Sequence, residues 1–147
     1  MAISFFFNNA QVTLTDRRRL KSFISGLFKS YRREVDSLSY IFCSDKYLLE
    51  INRKFLKRDY YTDIITFDLS ENSNLVVGEI YISVERVKEN SKALKVPVNL
   101  ELHRVIFHGA LHLCGFNDKS KPEKIKMTLE EDKNLKKYLG DVPRIPF

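Results

Sequence analysis

The chain is predicted to fold as α+β, a small mixed four-stranded sheet packed with helices. Three observations predict it. Four short runs are rich in β-branched and aromatic residues. The stretches between them carry apolar residues every three or four positions. Helices and strands are interspersed without strict βαβ alternation, and two strand runs follow one another directly around residues 63–83, which argues for a mixed sheet.

Each element has a local reason. ISFFFN (3–8) is a short apolar run, read as the first strand. Thr15 or Asp16 can cap a helix to about Arg33, whose Leu20, Ile24, Leu27, Phe28 and Tyr31 share one face. SLSYIFC (37–43) reads as the second strand. Ser44 or Asp45 then caps a short helix through Leu48, Leu49, Ile51 and Phe55. KRDYYTD is a polar, aromatic loop before the third strand, DIITFDL (63–69). ENSN turns into the fourth, VVGEIYIS (76–83). A helix is expected from Glu85 to about Leu94. Another starts near Pro97 and stops at Gly115, and a last one runs from Pro122 to about Leu139. The tail GDVPRIPF reads as irregular.

A length of 147 residues suits one domain, long enough to bury a core without staples. No apolar stretch is long and uncharged enough to span a bilayer. The N-terminus reads as a strand rather than a signal peptide. Two cysteines, Cys43 and Cys114, make no disulfide framework, so a cytoplasmic location is expected. The net charge of +6 agrees with a polyanionic partner but does not by itself require one. Its distribution is more informative: Arg53, Lys54, Lys57 and Arg58 crowd one loop, and Lys119, Lys121, Lys124 and Lys126 follow the motif described next.

Residues 108–118 read HGALHLCGFND. On a helix, His108 and His112 lie one turn apart on one face and can offer nitrogens to one point. That is what a zinc ion needs from its first two ligands. Gly115 is free to take positive φ and end the helix. The chain can then return and bring the Asp118 carboxylate to the same point. Three protein ligands leave one position open, the mark of a catalytic site. His103 is five residues before His108, on another face, and suits an ordinary partly buried histidine. Cys114 faces away and suits a small core residue. The spacing is zincin-like, except that Gly109 stands where such proteases carry their glutamate base. This argues against peptide cleavage.

The motif resembles H-G-x-L-H-x-x-G-[YF]-D-H of the YbeY family of bacterial endoribonucleases and rRNA maturation factors, matching through Phe116. INRKFLKRDYYTDIITF (51–67) resembles the family's L-N-x-x-[YF]-R-G-K-D-x-x-T-D-V-L-S-F, and GEIYIS (78–83) its G-D-I-x-I-S. The resemblance covers nearly the whole chain. It implies one metal-dependent endoribonuclease domain over residues 1–147, specific for single-stranded RNA. Its work would be rRNA maturation, including the 16S 3′ end, and ribosome quality control. The implied partners are rRNA and the small ribosomal subunit, with no membrane and no DNA. The family's zinc ligands carry over to His108 and His112. Its third histidine falls on Asp118, and the aspartate before it on Asn117. A carboxylate ligand adds negative charge, so Ni²⁺ or Mn²⁺ suits the site beside Zn²⁺. The family's functional arginine falls on Leu56. Arg58, two residues on, can supply that catalytic cation or can be a solvated loop charge. Tyr60 and Tyr61 can stack on unpaired bases or pack in the core. Two rival readings stay open: a non-catalytic ribosome assembly factor with a structural metal, and a metal-dependent hydrolase of another substrate.

Overall fold

The computed structural model describes residues 2–140. Among them lie four strands: β1 (Ile3–Phe7), β2 (Glu34–Cys43), β3 (Ile64–Asp68) and β4 (Leu75–Ser83). The helices are α1 (Arg17–Ser30), α2 (Asp45–Leu56), α3 (Val84–Leu94), α4 (Val98–Leu113) and α5 (Lys121–Leu139). The tail expected to be irregular lies, after Gly140, outside the described residues.

The strand order is β1-β2-β4-β3. β1 pairs parallel with β2, and β2 with β4, while β3 returns antiparallel along β4. The sheet is therefore mixed, and the short connection between β3 and β4 is what makes it so. β3 is an edge strand.

Alternation along the strands divides the core. Leu38, Tyr40 and Phe42 of β2 and Val76, Ile80 and Ile82 of β4 point to one face, where α1, α4 and α5 bury Ile24, Phe28, Ile106, Phe107 and Leu135. On the other face a smaller cluster joins Cys43 and Ile65 to Leu48 and Ile51 of α2. Both cysteines are free and buried.

Boundaries differ from expectation where a side chain or a backbone angle decides them. Asp16, not Thr15, caps α1, accepting from the Arg19 N–H. That helix stops at Ser30 rather than near Arg33, because Arg32 takes a left-handed φ of 61°. β2 starts at Glu34 instead of Ser37, extended by pairing of Glu34 and Val35 with Leu75 and Val76 across an irregularity before Ser37. Those residues carry no alternating apolar signal, so only the partner strand recruits them. Ser44 caps α2, and Ser83 caps α3, which therefore begins at Val84.

α4 sits so close to the sheet that two glycines are required. A Cβ at Gly78 would lie 2.9 Å from Leu113 Cδ1 and 3.2 Å from the Phe67 carbonyl oxygen. A Cβ at Gly109 would lie 2.9 Å from Ile80 Cδ1 and Cγ2. Position 109 thus faces packed sheet, and a glutamate there would be driven into the core.

Candidate metal centre

α4 is apolar on most of its circumference. The exception is a stripe at i, i+3, i+7 and i+11: Glu101, Arg104, His108 and His112. This stripe forms the floor of a cleft of about 690 Å³. The opposite wall comes from Leu56, Arg58, Tyr60 and Thr62 before β3, and from β3 itself.

The helix ends in a Schellman turn. The Phe116 N–H donates to the Leu111 carbonyl at 3.1 Å, and the Gly115 N–H to the His112 carbonyl at 3.0 Å. Gly115 has φ of 99°, the conformation that favours glycine. The Arg33 guanidinium lies over that glycine and donates to the Leu113 carbonyl. Phe116 packs edge-on against Tyr31, with ring centroids 5.1 Å apart. These contacts aim the returning chain, and Asp118, back at the helix.

Asp118 Oδ2 lies 3.3 Å from His108 Nε2 and 3.2 Å from His112 Nε2. One ligand atom from each of the three residues falls within a 4.8 Å span. Ligand atoms about 2.0–2.2 Å from one zinc ion at tetrahedral angles lie roughly 3.3–3.6 Å apart. The donor set therefore fits a metal of that kind in number and chemistry, and the two carboxylate–imidazole separations are close to that spacing. Asp118 is not the cap of α5. Ser120 holds that place, accepting from the Glu123 N–H while Glu123 caps back in a reciprocal box.

The electrostatics favour a cation here. Burial lowers the His108 pKa, but hydrogen bonding and charge from Glu131, with Asp118 and Asp63 behind, more than reverse this and raise it. His112 moves down, through burial first and then the neighbouring His108 charge. Two imidazoles share one point, so a positive charge on one opposes a charge on the other.

Sequence reasoning brought His108, His112 and Asp118 to one place, and the structure does the same. It missed what lies behind them. Glu131 of α5 meets His108 Nδ1 through its Oε2 at 2.5 Å. Its other oxygen accepts from Arg104 at 3.0 Å, and Arg104 also donates to Asp132 at 2.9 Å. Glu101 lies beside Arg104, its Oε1 3.9 Å from Nε, and neither atom has a hydrogen-bond partner. Burial pushes the Glu101 carboxyl up to about 7, against the pull of Arg104. Asp63, also in the cleft, is raised by burial as well. A signal existed: Glu131 interrupts the buried positions Met127, Leu135 and Tyr138 of α5, where a charge must be paired.

Arg58 is exposed on the cleft wall, and its side chain makes no ion pair among the described residues. Tyr60 and Tyr61 are 52% and 54% exposed, so they are not core. His103 is fully buried, not partly, with Nδ1 2.7 Å from the Asn99 carbonyl and its ring stacked on Tyr138. Lys119 reaches the cleft, while Lys121, Lys124 and Lys126 line the exposed start of α5. No helix among the described residues is long and apolar enough to cross a membrane.

The chain is similar to known proteins over most of its length. A family model described as endoribonuclease YbeY matches residues 6–139. Endoribonuclease YbeY of Cytophaga hutchinsonii is 46% identical over 133 residues, covering 90% of this chain and 93% of the relative. The Bacteroides fragilis protein of that name is 43% identical over 135 residues, covering 92% and 96%. The solution structure of TM1509 from Thermotoga maritima superposes with a TM-score of 0.68 at 26% identity, covering 94% of this chain and 89% of that one.

Proposed function

The chain belongs to the endoribonuclease YbeY family, and from that premise we propose that it is a metal-dependent endoribonuclease cutting single-stranded rRNA. His108, His112 and Asp118 would hold the metal. The observation that carries this reading is the convergence of three donors, at 3.2 and 3.3 Å, on the floor of an open cleft.

Zinc is the first choice of ion, with Ni²⁺ or Mn²⁺ admitted by the carboxylate ligand. When bound, such an ion supplies an acidified water and positive charge for the phosphodiester's developing negative charge. The chain's own residues do the rest. Arg58 on the facing wall, two residues past Leu56 where the family pattern has its arginine, adds a second positive charge toward the scissile phosphate. Tyr60 and Tyr61, exposed at the mouth, stack on unpaired bases, which selects single strands. Lys119 and the lysines of α5 hold the RNA backbone by charge, with little sequence preference. The setting is maturation of rRNA, including the 16S 3′ end, on the small ribosomal subunit in the cytoplasm.

The other readings are less well supported. A protease would need a carboxylate at position 109, which faces Ile80 and has no room for one. A non-catalytic assembly factor would be favoured by Asp118 and Leu56, the two departures from the family pattern. It gives no reason for three donors to converge on an open cleft. The test is cleavage of single-stranded RNA by metal-loaded protein freed of contaminating nuclease, beside a His112→Ala control. Equal cleavage by both proteins would overturn the reading.

A further inference from the structure

We propose that Glu131 is a positioning residue for the metal centre: it fixes the proton of His108 on Nδ1, and Arg104 fixes Glu131. The inference rests on the reading of His108 as a ligand and goes one shell behind it.

A histidine can give a lone pair from Nε2 only while its proton sits on Nδ1 or is lost. In free solution neutral imidazole divides between two tautomers. Here His108 Nδ1 faces Glu131 Oε2 at 2.5 Å. A carboxylate oxygen only accepts, so Nδ1 must donate. The Nε2 lone pair is then directed at the point shared with His112 and Asp118. A carboxylate behind a ligating imidazole also makes the ring a stronger base and stops it turning.

Glu131 is itself held. Its side chain is 9% exposed, and its second oxygen accepts from Arg104 at 3.0 Å. Arg104 is 11% exposed and spans α4 and α5, donating to Asp132 as well. One turn separates Arg104 from His108 on α4, and Asp132 is next to Glu131 on α5. The guanidinium therefore locks the spacing of the two helices at the level where the carboxylate must meet the imidazole. His112 is the internal contrast: its Nδ1 meets no carboxylate among the described residues. The site has one oriented histidine and one that relies on its position in the helix.

Glu131→Gln keeps the shape and removes the second acceptor. Its one oxygen is wanted by both Arg104 and His108. The guanidinium takes it, which turns the amide NH₂ toward Nδ1 and favours the tautomer that cannot bind through Nε2. Zinc is the probe. Affinity, read by competition with a chromogenic chelator, should fall about 10- to 100-fold in Glu131→Gln. In ¹⁵N-detected NMR of zinc-loaded wild type, His108 should carry its proton on Nδ1 and exchange it more slowly than His112. In the variant that signal should be lost or exchange fast. A glutamate that merely packs would leave the tautomer in place. The idea is overturned if the variant binds zinc within about twofold of wild type and keeps the Nδ1 proton. If Glu131→Gln does not fold, the wild-type spectrum decides: a His108 Nδ1 that exchanges as fast as that of His112, or binds zinc itself, overturns it. If wild type takes up no zinc, the metal reading fails instead, and the tautomer in zinc-free protein still tests the role of Glu131.

Discussion

On one wall of the cleft, α4 and α5 bury Glu101 and Glu131 and partly bury Arg104, each within reach of an opposite charge. On the other wall, the segment from Lys57 to Tyr61 is exposed throughout, and Arg58 has no ion-pair partner among the described residues. The difference tracks what each wall must do. Metal ligands need fixed geometry, and packing with paired charges behind them supplies it. A flexible polymer needs access and charge, which burial would remove. The buried wall should therefore fail sharply when one atom group is altered, and the open wall should fail by degrees.

The largest effect is expected at the proposed ligands. His112→Ala should abolish stoichiometric metal binding and lower RNA cleavage about a thousandfold or more, since charge stabilisation by the ion is worth several kcal/mol. Elemental analysis beside a cleavage assay checks both. Retention of metal and activity would remove the ground for treating this wall as the chemical one.

Asp118 sharpens the contrast, because it reaches the buried site from a half-exposed turn. Asp118→Ala should lose most metal affinity and yet melt in chelator close to wild type, because Ser120 and Glu123 already cap α5. Asp118→His should keep metal and shift preference toward zinc, the softer ligand favouring it. Metal titrations beside melts in chelator separate these outcomes. Wild-type affinity in Asp118→Ala would place the third ligand elsewhere.

Gly109→Ala adds one methyl group to the buried wall. With Ile80 methyls 2.9 Å away, the helix must shift or Ile80 must turn, at a cost of about 1–3 kcal/mol. Denaturant melts measure this, and an unchanged midpoint would show more slack between α4 and the sheet than the contacts indicate.

The open wall should respond least. Arg58→Ala should lower cleavage about tenfold or less while leaving metal content and melting unchanged, the pattern of a charge that acts only on substrate. Replacing Lys121, Lys124 and Lys126 together should flatten the salt dependence of RNA binding, each phosphate contact contributing a slope of about one. A slope equal to wild type would assign those lysines to solubility.

Local signals carried much of this protein. The 3.6-residue pattern of α1, a cap at Thr15 or Asp16 and another at Ser44 or Asp45, and the apolar runs of β2 to β4 are short-range physics, and they are legible in the chain. So is the trio of proposed ligands. A helix fixes His108 against His112, and a Schellman turn at Gly115 fixes the return of Asp118, all within eleven residues. Tertiary structure decided what depends on distant partners. Glu34 and Val35 have no strand pattern of their own and are extended because β4 pairs with them. Gly109 reads in the sequence as a missing glutamate, and only the nearness of Ile80 shows that no side chain fits there. Glu131 is 23 residues from His108, and its charge among buried positions announces a partner without naming it. Sequence can state that such a carboxylate must be satisfied. Which imidazole and which guanidinium satisfy it is set by how α4 and α5 pack, because a hydrogen bond is decided by tenths of an ångström that no periodicity encodes.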